Sequence, residues 1–167
     1  MNVEWRVKCG EWRTHEEQHL AAYRLLAELI GGEVLVEHDD YGAPYLPSRP
    51  GVGVSVSHCR AAVAVALCEG GRVGIDVESR RRVSPLLMER VCTADELAVL
   101  DASADRTMAF LQLWTRKEAV LKMRGTGIKG FGSMASALRL GDCEVSDLET
   151  GMADVVASVA WTASTAG

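Results

Sequence analysis

Apolar and polar positions recur with two different periods along this chain, and the switches between them mark out most of its elements. Ala22, Leu25, Leu26, Leu29 and Ile30 fall at helical spacing and form one stripe. Thr14 stands where an N-cap is needed and Glu17 follows three residues on, the reciprocal pattern of a capping box. Gly31-Gly32 stops that helix. Glu33 to Glu37 reads as a short strand. Tyr41 to Gly51, which holds Pro44, Pro47 and Pro50, reads as an ordered loop.

From Val52 the period becomes two. Val52, Val54 and Val56 alternate with Gly53, Ser55 and Ser57, the pattern of a half-buried strand. Ala61 to Cys68 is apolar on both faces and reads as a central strand. Past the turn Glu69–Arg72, Val73, Ile75 and Val77 point one way and Gly74, Asp76 and Glu78 the other. The short links predict that these three strands form an antiparallel meander. The pattern then turns helical. Ser84-Pro85 opens a helix to about Val91, and Thr93 with Glu96 forms a second capping box. A long helix runs from about Arg106 to Arg124, ended by Gly125-Thr126-Gly127. Ala135–Leu140 and Val155–Trp161 read as strands.

Composition narrows the classes. The 167 residues suit one compact unit, or two small lobes sharing one core, and 48% hydrophobic content supplies a real interior. A net charge of −5 argues against nucleic acid as partner. No apolar run reaches membrane-spanning length, and the first residues show no signal-peptide pattern. The cysteines, Cys9, Cys59, Cys68, Cys92 and Cys143, are odd in number and include no close pair. That argues against a disulfide framework or a zinc knuckle and suits a reducing, cytoplasmic setting.

The chemistry gathers in three places. Asp76 and Glu78, two apart on a strand, share a face and can converge on one ion. A third acid from elsewhere would suit magnesium, which takes hard oxygen ligands and keeps waters or phosphates besides. Trp114, Glu118 and Lys122 stack along one helix face, with Lys117 one position round. Ser57-His58 ends a strand, where a hydroxyl, an imidazole and backbone N–H groups can meet phosphate oxygens. A Ser-His hydrolase is disfavoured, because no Gly-x-Ser-x-Gly elbow is present.

In order and spacing these pieces resemble the Sfp-type 4′-phosphopantetheinyl transferases of the holo-acyl-carrier-protein synthase superfamily. The resemblance rests on Tyr41-Gly42-Ala43-Pro44-Tyr45-Leu46, Val54–His58, Val73–Glu78 and Leu113–Lys122, and it covers roughly Leu25 to Gly130. It implies an α+β fold of two lobes in a pseudo-dimeric monomer, with antiparallel sheets each packed by a long helix. The shortened N-terminal lobe would be 1–70, the C-terminal lobe 71–167, and the active site would lie between them. It implies transfer of the phosphopantetheine arm of coenzyme A to a serine of an apo acyl or peptidyl carrier protein, an acidic partner, with adenosine 3′,5′-bisphosphate as the other product. Asp76, Glu78 and Glu118 would hold Mg2+. Glu118, Lys122 and His58 would be catalytic. Gly42, Ala43, Pro44, Ser57, His58, Lys117 and Lys122 would contact coenzyme A.

Two departures stand out. The family usually carries Lys or Arg where Ala43 stands, and most members are longer at the N-terminus. They are the best support for the second reading, a non-catalytic coenzyme A or nucleotide-binding module; a magnesium-dependent phosphohydrolase is a third. Arg80-Arg81-Arg82, extended by Arg116, Arg124 and Lys129, would form a basic rim for the carrier.

Overall fold

The protein is described by a computed structural model covering residues 2–126, 131–138, 141 and 143–163. Its strands β1 (Val3–Cys9), β4 (Val52–Cys59) and β5 (Ala62–Glu69) form one sheet with β5 in the middle. The helix α1 (His15–Ile30) lies on it; β2 (Glu37–His38) and β3 (Pro44–Tyr45) make a small hairpin between α1 and β4. A second sheet has the order β6 (Gly71–Ser79), β8 (Val155–Ala163), β7 (Glu144–Leu148). Across it runs α4 (Arg106–Arg124), flanked by α2 (Pro85–Val91), α3 (Ala94–Asp101) and α5 (Phe131–Ser136).

The helices begin and end as their caps require. Thr14 and Thr93 both close capping boxes, Ser84 caps α2 with Pro85 behind it, and Gly31 and Gly125 end α1 and α4 in the left-handed conformation. The α1 stripe, Ala22, Leu25 and Leu26, packs on Val54, Val63, Val65 and Leu67. The other face of β5, Ala62, Ala64, Ala66 and Cys68, packs on Val73, Ile75, Val77 and Val159. That two-sided burial is why β5 shows no alternation in sequence.

The meander does not form. β4 and β5 pair as a hairpin, from Val52 against Glu69 to Cys59 against Ala62. The other edge of β5 is filled by β1, so no ladder position remains there for β6. Instead β6 turns into the second sheet and pairs with β8, Asp76 facing Ser158. Its free edge lies against β4. There Ser55 Oγ accepts the Ile75 N–H at 3.0 Å and Ser57 Oγ accepts the Val77 N–H at 3.4 Å. The small polar face of β4 is thus the seam between the sheets, with Ser55 and Ser57 both buried.

Other expectations also shift. Only Glu37 of the segment 33–37 is in a strand. Ala135 and Ser136 close α5, because Met134 and Ala137 reach the core at helical spacing; residues 139–140 lie outside the described set. β1 and β7 are additional strands, unread in the sequence because each carries its polar residues on an edge.

Candidate active site

Gly74, Asp76 and Glu78 all project from β6 toward α4. At Gly74 the helix comes so close that a Cβ would lie 2.0 Å from the Ala119 carbonyl oxygen, so only glycine permits this approach. One turn along, Lys122 Nζ donates to Asp76 Oδ1 at 2.7 Å, to the Ile75 carbonyl at 3.1 Å and to Ser57 Oγ at 3.1 Å. Ser57 Oγ donates in turn to Asp76 Oδ1 at 2.9 Å. Strand, seam and helix therefore meet at one carboxylate. Asp76 Oδ2 is buried and has no partner. An anionic oxygen left bare in the interior is costly unless something cationic meets it, so this atom fits a metal ligand.

Glu118 belongs to the same group. Burial pushes its carboxyl up to about 7; the negative charges of Asp76 and Glu78 add to the rise and Lys122 opposes it. Glu78 is differently placed. Arg81 grips both its oxygens, Nε to Oε2 at 3.1 Å and Nη2 to Oε1 at 3.2 Å. The same guanidinium lies 5.9 Å over the Trp114 ring. With the side chains so disposed, no three Asp, Glu, His or Cys among the described residues form a closed metal cluster. The donor chemistry fits a hard divalent cation, and the carboxylates must draw in to enclose one.

His58 stands beyond Ser57, its Nδ1 donating to Gln18 Oε1 at 3.2 Å. Burial, then the neighbouring His15, His19 and Lys122, hold its pKa below the usual imidazole value. His15 and His58 are edge to face at 4.8 Å, His19 lies 6.3 Å from His58, and Tyr23 lies 4.4 Å from His19. Tyr23 Oη bonds His38 Nε2 at 2.7 Å. All 4 histidines of the chain thus form one row along α1, from the seam to the β2–β3 hairpin. The hairpin turn holds Gly42 and Ala43, with Pro44 opening β3. Asp39 Oδ1 accepts the Tyr41 and Ala43 N–H groups, and Gly42 has φ 81°. Sequence reading found His58 but not His15 or His19; their spacing of four on α1 was the available signal.

Residues 72–163 match the model of the 4′-phosphopantetheinyl transferase superfamily. The chain belongs to that superfamily. Among relatives, it is 36% identical over 118 residues to the L-aminoadipate-semialdehyde dehydrogenase-phosphopantetheinyl transferase of Eremothecium gossypii, covering 65% of this chain and 43% of that protein. It is 27% identical over 139 residues to the 4′-phosphopantetheinyl transferase Sfp of Bacillus subtilis, covering 77% and 62%. The 4′-phosphopantetheinyl transferase AcpT of Salmonella typhimurium is 27% identical over 137 residues, covering 77% and 71%. The match therefore spans about two fifths of the length of the first of these and about three fifths of the second.

In this member of the superfamily the expected residues divide. Asp76, Ser57, Lys122 and Glu118 come together, Glu78 stands at their edge under Arg81, and His58 adjoins them. Lys117 does not join. Its side chain is 1% exposed, and Nζ donates to the Val91 carbonyl at 2.7 Å, Glu96 Oε2 at 2.7 Å and the Ala135 carbonyl at 3.4 Å. One position along a helix turns a side chain by about 100°, which carries Lys117 to the buried side while Glu118 faces the site. The structure places Lys117 in a buried ion pair with Glu96, apart from the Asp76 group, rather than beside Glu118. The arginine run divides too: Arg80 is paired with Asp105 and Asp154, Arg81 with Glu78, and Arg82 is exposed. Arg116 pairs with Asp147 and Arg124 donates to the Ala137 carbonyl; Lys129 lies outside the described residues.

Proposed function

We propose that this chain transfers the phosphopantetheine arm of coenzyme A to a serine hydroxyl of an apo acyl or peptidyl carrier protein, releasing adenosine 3′,5′-bisphosphate. The observation that carries the reading is the junction of Asp76, Ser57, Lys122 and Glu118, with Asp76 Oδ2 left bare. Asp76, Glu78 and Glu118 offer the oxygen set that magnesium takes. When bound, such an ion neutralises charge on the diphosphate and its leaving group. Lys122, held by the seam, stands ready to offset charge on the phosphate oxygens; His58, held through Nδ1 by Gln18, joins it as the imidazolium, the form that an adjoining phosphate favours. Glu118, in the same group of side chains, is the carboxylate that would take the proton of the carrier serine as general base.

The histidine row supports a place for the nucleotide end of coenzyme A. Ala43 offers no cation on the hairpin, whereas His15, His19 and His58 line the path between the seam and Gly42–Pro44. Two sheets, one covered by α1 and the other by α4, support the reading of two similarly built halves within one chain. No helix among the described residues is long and apolar enough to cross a membrane, and the cysteines remain thiols. Both features suit work in the cytoplasm on a carrier protein.

The test is direct. Incubation with an apo carrier protein, coenzyme A and Mg2+, followed by intact mass measurement, should show the carrier gaining one phosphopantetheine arm. Carrier of unchanged mass alongside retained coenzyme A would overturn the reading in favour of a binding module. Release of phosphate would point instead to hydrolysis.

A further inference from the structure

Two carboxylates of the site differ in what is left for a ligand. Asp76 has one oxygen engaged, by Ser57 and Lys122, and one bare. Glu78 has both oxygens engaged by the fork of Arg81. A guanidinium that meets a carboxylate through two parallel bonds offers the same electrostatic service as a bound cation, at the same atoms. Arg81 is also steadied from behind by the face of Trp114, on the α4 stripe that carries Glu118 and Lys122. Its neighbours are not alternatives. Arg80 is tied to Asp105 and Asp154, and among the described residues no ion pair joins Arg82 to a carboxylate of the site.

We propose that Arg81 is a clasp on Glu78 that competes with the divalent cation, so that cation and the diphosphate of coenzyme A enter the site together. The inference rests on the functional reading above. With Arg81 in place, Glu78 is satisfied and only Asp76 and Glu118 receive an incoming ion. A cation arriving alone must displace the guanidinium into water. A cation arriving with a diphosphate leaves Arg81 beside a new anion, where its donors find oxygens again. Arg81 therefore sets the coupling between the two ligands and acts through Glu78, as a positioning residue.

The measurement is Mn2+ affinity by electron paramagnetic resonance, on the full chain at neutral pH, without and then with coenzyme A. Arg81→Gln is expected to bind Mn2+ alone roughly two- to fivefold tighter than the wild type, in line with the strength of a half-exposed ion pair. The gain in Mn2+ affinity on adding coenzyme A should shrink by the same factor. Arg81→Lys, which keeps the charge and loses the fork, should fall between the two. Arg72→Gln, a charge loss at the far end of β6, should leave Mn2+ affinity unchanged. Thermal melts establish that each variant is folded. If both Arg81 variants bind Mn2+ as the wild type does or more weakly, Arg81 orients Glu78 as a ligand and the clasp is overturned. If the wild type binds no Mn2+ with or without coenzyme A, the metal-site reading falls and takes the clasp with it.

Discussion

Glu118 has its proton affinity set by burial first and by the charges of Asp76 and Glu78 second. The folded protein holds that proton more tightly than the unfolded chain, whose carboxyl titrates near the ordinary 4.5. The stabilisation is complete below that pH and is lost as pH rises through about 7. Glu118→Gln removes the titration while keeping the shape. Without ligands, the variant should match the wild type near pH 5 and exceed it by about 1–2 kcal/mol at pH 8, a range reduced from ~1.4 kcal/mol per pH unit because the group is partly solvated. Denaturant melts at the two pH values check this, and transfer by the variant should be slow with coenzyme A affinity retained. Equal stability at pH 8 would remove the case for a buried, charge-crowded carboxyl. At this scale much was legible. Spacing of two on a strand and four on a helix brought out Asp76, Glu78, Glu118 and Lys122. What spacing could not supply was the partner of each group. Nothing local separates His15 and His19 from an ordinary solvated face, and nothing local says that Glu78 is gripped by Arg81.

Elements carry a different set of consequences. Lys117 pins α4 to the end of α2 and to Glu96, which itself caps α3 through the Thr93 N–H. Its replacement by Met leaves Glu96 and the Val91 carbonyl without their buried cation. A loss of about 2–4 kcal/mol is expected, at the scale of a broken buried ion pair, with the Michaelis constant for coenzyme A unchanged below the melting temperature. Thermal melts and steady-state kinetics separate the two roles: unchanged stability with weakened coenzyme A use would return Lys117 to the site. The helices were readable because their signals are local, a cap, a stripe and a stop. Strand pairing was not, because the ladder a strand joins depends on which edges are already filled. β5 is occupied on both sides by β1 and β4, and that fact excludes β6 from its apparent place.

For the whole molecule, the charge is net acidic and most arginines near the site are already paired within the chain. All three arginines of the run are exposed, but Arg80 and Arg81 are held in ion pairs, so an acidic carrier should feel Arg82 most. Arg82→Glu should raise the Michaelis constant for carrier roughly threefold or more, as reversal of a rim charge does, while sparing that for coenzyme A. Arg80→Glu should instead lower the melting temperature, since it breaks the tie to Asp105 and Asp154. Equal effects of Arg82→Glu on both substrates would remove it from the carrier surface. The seam has a last consequence at this scale. Ser57 takes a backbone amide of one layer while touching the ammonium and the carboxylate of the reactive cluster. Movement between the layers therefore reaches Asp76 through the Ser57 hydroxyl, while Ser55 holds the neighbouring Ile75 amide, and the shape of the cluster depends on both contacts.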